Sequence, residues 1–248
     1  MRSGSALSSN MQPIIEFKNV GKTYPGEKTP AVHDVTFSVA PGEFVCLIGA
    51  SGGGKTTTLK MIAGLEEPTA GTITKPDVVA MSFQLGALFP WLTVFENVAL
   101  GLRSRNMPEE TIVRTVDHQL RLVNMFEFKS KYPVDLSGGQ RQRIGIARAL
   151  AVDPAVLLLD EPFSALDVMT TAELHDDLVR IWRETKKTIV MVSHLVEEAV
   201  SLADRVILIR GGSIQEIFKI DLAYPRREQE AAFAHDVQKI RRAFFAKL

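Results

Sequence analysis

Eight consecutive residues, Gly49-Ala50-Ser51-Gly52-Gly53-Gly54-Lys55-Thr56, constrain this chain more than any other stretch. They follow an apolar run, Phe44-Val45-Cys46-Leu47-Ile48, and open a segment of helical character from about Lys55 to Leu65. An uninterrupted apolar pentad is the pattern of a strand buried on both faces of a parallel sheet. Strand, glycine-rich turn and helix in that order make a phosphate loop of the G-x-x-x-x-G-K-[ST] kind. Glycines let successive backbone N–H groups turn inward around phosphate oxygens, and the following helix adds its positive end. Lys55 then supplies a mobile point charge to the β- and γ-phosphates, the Thr56 hydroxyl is a ligand for Mg²⁺, and Thr57 is placed to reach the α-phosphate. A chance lysine in an ordinary turn would lack the flanking strand and helix. The chain is therefore expected to bind a nucleoside triphosphate.

A second apolar strand, Leu157-Leu158-Leu159, ends in the carboxylates Asp160 and Glu161. By itself this is an ordinary solvated strand end. Beside a phosphate loop, Asp160 becomes the expected holder of Mg²⁺ and Glu161 the group that polarises an attacking water. Further strands are expected at Ile14–Phe17, Val35–Val39, Thr188–Val192 and Val206–Ile209, and an amphipathic helix carries Leu174, Leu178, Ile181 and Trp182 on one face. Strands alternating with helices imply a mostly parallel sheet. From Leu85 to Val152 the pattern is largely helical, with Ile112, Val113, Val116, Leu120 and Val123 at helical spacing. That third reads as an insertion on one side of the sheet.

The 248 residues suit one α/β domain with a subdomain inserted. Lys plus Arg (29) equals Asp plus Glu (29), so no global field favours nucleic acid or an anionic bilayer. The single cysteine, Cys46, excludes an intrachain disulfide and reads as a small core residue. No apolar stretch reaches the roughly 18 residues of a membrane helix, and no signal-peptide pattern opens the chain, so a cytosolic protein is expected. Residues 1–12 read as a disordered lead-in, 13–220 as the main domain with its helical part at about 85–152, and 221–248 as a helical tail.

Leu136-Ser137-Gly138-Gly139-Gln140 narrows the reading further, since a given five-residue string arises by chance in about one chain of this length in two thousand. With it, the sequence resembles the nucleotide-binding domains of ABC transporters over about Ile14–Gln215. The resemblance implies a phosphate-loop NTPase core of the ABC type, with an antiparallel β-subdomain and an inserted helical subdomain carrying the signature. It implies that Tyr24 stacks on adenine and that Gln84 reaches Mg²⁺ and the γ-phosphate. Asp167 lies in the D-loop and His194 is the switch histidine. The resemblance further implies that Ser137, Gly138, Gly139 and Gln140 cap the γ-phosphate held by a second copy of the chain. His33, His118, His175 and His235 match no motif position, and Arg141 and Arg143 read as ion-pair partners rather than a nucleic-acid patch.

Implied cofactors are ATP and Mg²⁺. Implied partners are a second copy or homologous ATPase subunit, integral membrane permease subunits and a soluble substrate-binding protein, at the cytoplasmic side of the cell membrane. Leu88-Phe89-Pro90-Trp91 and Asp221-Leu222-Ala223-Tyr224-Pro225-Arg226 look like the nitrate/sulfonate/taurine import branch, which implies a small anionic cargo such as nitrate, a sulfonate, taurine or bicarbonate. Phe89, Gly53 and Val134-Asp135 depart from that branch's usual wording. The alternatives are another cargo such as lipid, or an ABC ATPase that acts on DNA or ribosomes. A phosphate-loop kinase would leave the signature unexplained. Phe89 and Trp91 flank a proline that breaks helical periodicity, so they are expected to line a groove for a permease helix, whereas Val94 and Val98 belong to the core.

Overall fold

The computed structural model describes residues 12–246, so all but the last residue of the expected lead-in lies outside the described residues. Strands β1 (Ile15–Lys22), β2 (Val32–Val39) and β3 (Phe44–Ile48) precede helix α1 (Lys55–Ala63), followed by β4 (Ala70–Thr74) and β5 (Val79–Ser82). Three helices then run without an intervening strand: α2 (Val94–Ser104), α3 (Glu109–Leu122) and α4 (Gly138–Ala151). The rest alternates: β6 (Val156–Asp160), α5 (Val168–Thr185), β7 (Thr188–Ser193), α6 (Val196–Leu202), β8 (Arg205–Arg210), β9 (Ser213–Lys219) and α7 (Glu230–Phe245).

Six strands form one sheet in the order β5-β6-β7-β3-β8-β9, parallel except for the β8–β9 pair. The pleat sends alternate residues of its inner strands into two cores. Phe44, Cys46, Ile48, Leu157, Leu159, Ile189 and Met191 pack against the helices. Val45, Leu47, Val156, Leu158, Val190 and Val192 pack against α1 and the small antiparallel sheet β2-β1-β4. Burial on both faces is why these strands read as continuous apolar runs. Cys46 is free and buried. Strands β4 and β9 lie at sheet edges with mostly exposed residues, so neither leaves a readable apolar pattern.

The helical third is locked at its entry by Asn97, a fully buried side chain. Its amide donates to the carbonyls of Phe89, Leu92 and Thr93 at 3.0–3.1 Å, and its oxygen accepts from the Phe89 N–H at 2.9 Å. Thr93 and Glu96 add a reciprocal cap to α2. With that turn pinned, Val94 and Val98 enter the core, while Phe89 and Trp91 stay outside with rings 5.4 Å apart and Trp91 70% exposed. Ile112, Val116 and Leu120 are buried along α3, whereas Val113, helical as its spacing suggested, is exposed at the margin of that face.

Helix α4 crosses the turn after β5 almost backbone to backbone. A Cβ on Gly145 would lie 2.5 Å from Gly86 Cα, and one on Gly86 would lie 2.3 Å from the Arg141 carbonyl. Arg148 completes the clasp by donating to the carbonyls of Gly86 and Ala87 at 2.6 and 3.0 Å. Arg143 pairs with Asp177 and Glu173. Arg141 corrects the ion-pair expectation: its guanidinium donates to the Leu136 carbonyl at 2.6 Å.

Candidate functional site

The loop after β3 is shaped by how closely other backbone approaches it. A Cβ on Gly49 would sit 2.0 Å from the Ile209 carbonyl oxygen. Gly54 has φ +96, and its Cβ would be 2.5 Å from the Ala31 carbonyl, so any side chain at either position pushes the loop off its support. Gly54 opens α1 without a side-chain cap, and no acid stands in the first turn, which leaves the helix N–H groups to whatever enters. Lys55 curls over its own loop, donating to the Gly49 and Ala50 carbonyls at 2.8 and 2.9 Å. Burial lowers its pKa, with Glu161 and Asp160 pulling the other way. A cavity of about 380 Å³ opens here, lined by Ala31, Ser51–Thr57 and Glu161.

Parallel pairing of β6 with β7 delivers the two carboxylates to the loop. The Thr56 hydroxyl donates to Asp160 Oδ1 at 3.3 Å. Burial raises the Asp160 pKa; the Thr56 hydrogen bond opposes that rise and the Glu161 charge adds to it. Glu161 has φ +46, a left-handed backbone that costs a non-glycine residue about 1–2 kcal/mol, and its N–H is held by the Val192 carbonyl at 3.1 Å. His194 Nδ1 lies 3.7 Å from Glu161 Oε2. Gln84 Nε2 donates to Ser164 Oγ at 2.8 Å, and that hydroxyl donates to the Glu161 carbonyl at 3.0 Å. The Tyr24 hydroxyl is 3.4 Å from Thr57 Oγ1. Tyr24, Gly49–Thr57, Gln84, Asp160, Glu161 and His194 are thus drawn toward one place by five separate segments.

The signature residues lie elsewhere. Ser137 caps α4: its hydroxyl accepts from the Gln140 N–H at 3.2 Å, and Gln140 Oε1 accepts from the Ser137 N–H at 2.9 Å. Ser137, Gly139 and Gln140 line a different cavity together with Thr170 and Glu173, and none of them lines the phosphate-loop cavity. Gly138 opens α4 beside them. Asp167 is spent on capping α5, accepting from the Thr170 N–H at 3.0 Å and the Thr170 hydroxyl at 2.7 Å. Two contributors escaped the motif reading. Ala31 lines the phosphate-loop cavity from a loop without any motif, and Ser164, three residues before Asp167, bridges Gln84 to the Glu161 carbonyl without any local signal.

A model of the ABC transporter family matches residues 32–164. The chain belongs to the ABC transporter family. The nitrate import ATP-binding protein NrtD of Synechococcus elongatus is 41% identical over 234 residues, covering 88% of this chain and 85% of that protein. The aliphatic sulfonates import ATP-binding protein SsuB 1 of Paracoccus denitrificans is 38% identical over 229 residues, 92% of each. The spermidine/putrescine import ATP-binding protein PotA of Mesoplasma florum is 43% identical over 215 residues, covering 82% of this chain and 61% of that protein. Among solved structures, the dimeric post-hydrolysis state of the ATP-binding cassette MJ0796 bound to ADP and Pi matches with TM-score 0.73 and 32% identity, over 83% of this chain and 98% of that one. The chain is an ABC-type ATPase with the α/β cassette fold. Among the described residues no helix is long and apolar enough to cross a membrane.

Proposed function

We propose that this ABC ATPase powers an importer of small anions, hydrolysing MgATP in sites that two copies complete for each other. The observation that carries the shared site is the separation of Ser137–Gln140 from the phosphate-loop cavity. A helix start with free N–H groups suits a γ-phosphate, and a second copy turned head to tail brings it there. Glu161 takes the proton of the attacking water, and Gln84 and His194 complete the γ-phosphate surroundings. Tyr24 stacks on the base and Asp167 borders the partner's nucleotide. ATPase rate per chain should rise steeply with protein concentration; a rate per chain that stays flat on dilution would sink the shared site.

The residues present fit Mg²⁺. Thr56 and Asp160 place a hydroxyl and a carboxylate in contact below the loop, and burial raises that carboxylate's pKa despite the Thr56 hydrogen bond and the Lys60 and Lys55 charges. Gln84 is the third group of the set. Mg²⁺ commonly takes only one or two protein carboxylates, the rest of its shell being phosphate and water, and no cluster of three or more such ligands exists among the described residues. When bound, the ion neutralises charge between the β- and γ-phosphates.

The partners in this reading are permease subunits and a soluble substrate-binding protein, with the ATPase peripheral on the cytoplasmic face. The exposed Phe89–Trp91 pair, five to seven residues after Gln84 in the chain, suits an aromatic anchor for a permease helix. Nitrate, a sulfonate, taurine or bicarbonate is the cargo, supported by the likeness to NrtD and SsuB 1 and by the Trp91 and Tyr224–Arg226 strings. PotA of similar identity favours a second reading, a polyamine. The membrane complex purified with its binding protein should show ATPase stimulated by one of those anions. Stimulation by spermidine or by lipid alone would overturn the cargo.

A further inference from the structure

A second cavity, of about 260 Å³, lies between α5, α6 and the turn at Tyr224–Arg227. It shares no residue with the phosphate-loop cavity. Three arginines line it, and they differ in what they do. Arg226 is buried and saturated: it pairs with Asp204 at 3.0 Å and donates to the carbonyls of Val200, Ala203 and Leu222. Arg183 lies over the Tyr224 ring at 4.8 Å. Arg227 donates to Ser201 Oγ and to His175 Nδ1, both at 3.0 Å. Among the described residues neither Arg183 nor Arg227 has a carboxylate within 4.0 Å.

The buried His175 beside them leaves one donor without a partner. A guanidinium can only donate, so His175 Nδ1 accepts from Arg227 and the ring's proton sits on Nε2. Nε2 is buried and has no partner. Burial and the Arg227 charge hold the His175 pKa down to about 4, so the ring stays neutral. In the lining the two guanidiniums face one exposed carboxylate, Asp176, while the buried Glu198, which accepts from the Ser193 hydroxyl, acts on Arg227 from outside the lining. Val179, Leu202 and the Tyr224 ring make the rest of the wall apolar.

We propose that this cavity binds a small organic oxyanion, a carboxylate or sulfonate whose head meets Arg183 and Arg227 and whose apolar body faces Leu202 and Tyr224. Arginine forks suit a planar or trigonal oxyanion head, and the volume falls below the roughly 300–1,000 Å³ of drug-sized sites. Occupancy has a path to the ATP site. The His175 ring stands edge-on to Phe163, centroids 4.4 Å apart, two residues after Glu161. Ser201 sits on α6, which begins two residues after His194. A ligand that competes for Arg227 therefore shifts the supports of both.

The test uses the full chain with saturating MgADP, so that the phosphate loop is already filled. Butanesulfonate and hexanoate are titrated by calorimetry, and by fluorescence of Trp182 in Trp91→Phe, since Trp182 stands 5.8 Å from the Tyr224 ring. One of the two should bind saturably below about 10 mM, with chloride at equal ionic strength giving no signal. Arg183→Ala removes an exposed, unpaired side chain and should weaken binding by about tenfold or more. Ala172→Leu, which fills the cavity, should do the same. Binding unchanged in both variants, or no saturable binding of either anion, overturns the site. Signal seen only without MgADP would return the anion to the phosphate loop. At saturation the anion should change ATP turnover by about twofold or more in wild type and not in Arg183→Ala; unchanged turnover overturns the link through Phe163.

Discussion

Around the phosphate loop, groups from distant parts of the chain already hold one another: Thr56 with Asp160, Gln84 with Ser164, Tyr24 with Thr57. At the start of α4, the side chains of Ser137 and Gln140 bond only to each other's backbone N–H, and the Asp167 carboxylate bonds only to the start of its own helix. The first region is assembled by the fold. The second is finished locally, by caps that any helix uses, and presents its free face outward. The contrast lets the same string, Ser137-Gly138-Gly139-Gln140, carry two readings at once: it is a helix cap within the chain and, in the proposed function, the surface that meets the phosphate held by another copy.

The most severe test of the assembled half is Glu161→Gln. An amide cannot take the proton, so turnover should fall by about a hundredfold or more while ATP still binds; near wild-type hydrolysis would remove Glu161 from its role. Lys55→Ala should act on the other observable, weakening nucleotide affinity by about ten- to a hundredfold because a charged donor is lost. If affinity held and only turnover fell, Lys55 would serve the transition state instead.

The outward-facing half is tested by separating its two jobs. Asp is as good an N-cap as Ser, so Ser137→Asp should keep stability within about 0.5 kcal/mol. A carboxylate there repels a triphosphate, so hydrolysis should fall by about tenfold or more. Retained hydrolysis would reduce Ser137 to a cap. Mixing Ser137→Arg with Lys55→Ala chains sharpens this. Half the dimers are then mixed, each with one intact site of two, so about a quarter of wild-type activity should return in a two-fold dimer. No recovery, with mixed dimers shown to form, would break the shared site.

The smallest effect is expected at Trp91→Ala. With the side chain mostly in solvent, stability should change by less than about 0.5 kcal/mol and ATP binding not at all, while assembly with permease subunits weakens. A cooperative loss of several degrees in Tm would instead make Trp91 part of the helical subdomain's own packing.

The phosphate loop and the acid pair were legible because their signals are local: a buried strand, a turn and a helix within about twenty residues, each written in residue type. Cys46 read correctly as core for the same reason. Other features were not legible, because their cause lies far along the chain. Nothing in the wording around Gly86 announces that Gly145 will press on its backbone, and Asn97 looks like any helix polar residue until its partners appear. Val113 lies in a helix as its spacing suggested, but spacing alone carries no mark of whether a residue at the margin of an apolar face will be covered. The unpaired Arg183 and Arg227 stand beside each other only after α5 and the segment following β9 have packed.

By itself the sequence determined that a triphosphate loop exists, which carboxylates end the neighbouring strand, and that a helical third is inserted. Those follow from backbone preferences and apolar periodicity, which act between residues close in the chain. Only the tertiary structure decided that Gln84 reaches Glu161 through Ser164, that Trp91 stays in solvent, and that the signature tip and the phosphate loop line different cavities. These depend on which surfaces meet when two cores close on either face of one sheet, and on contacts between residues tens of positions apart. Close packing admits one such arrangement and rejects its neighbours, and no local pattern encodes that choice.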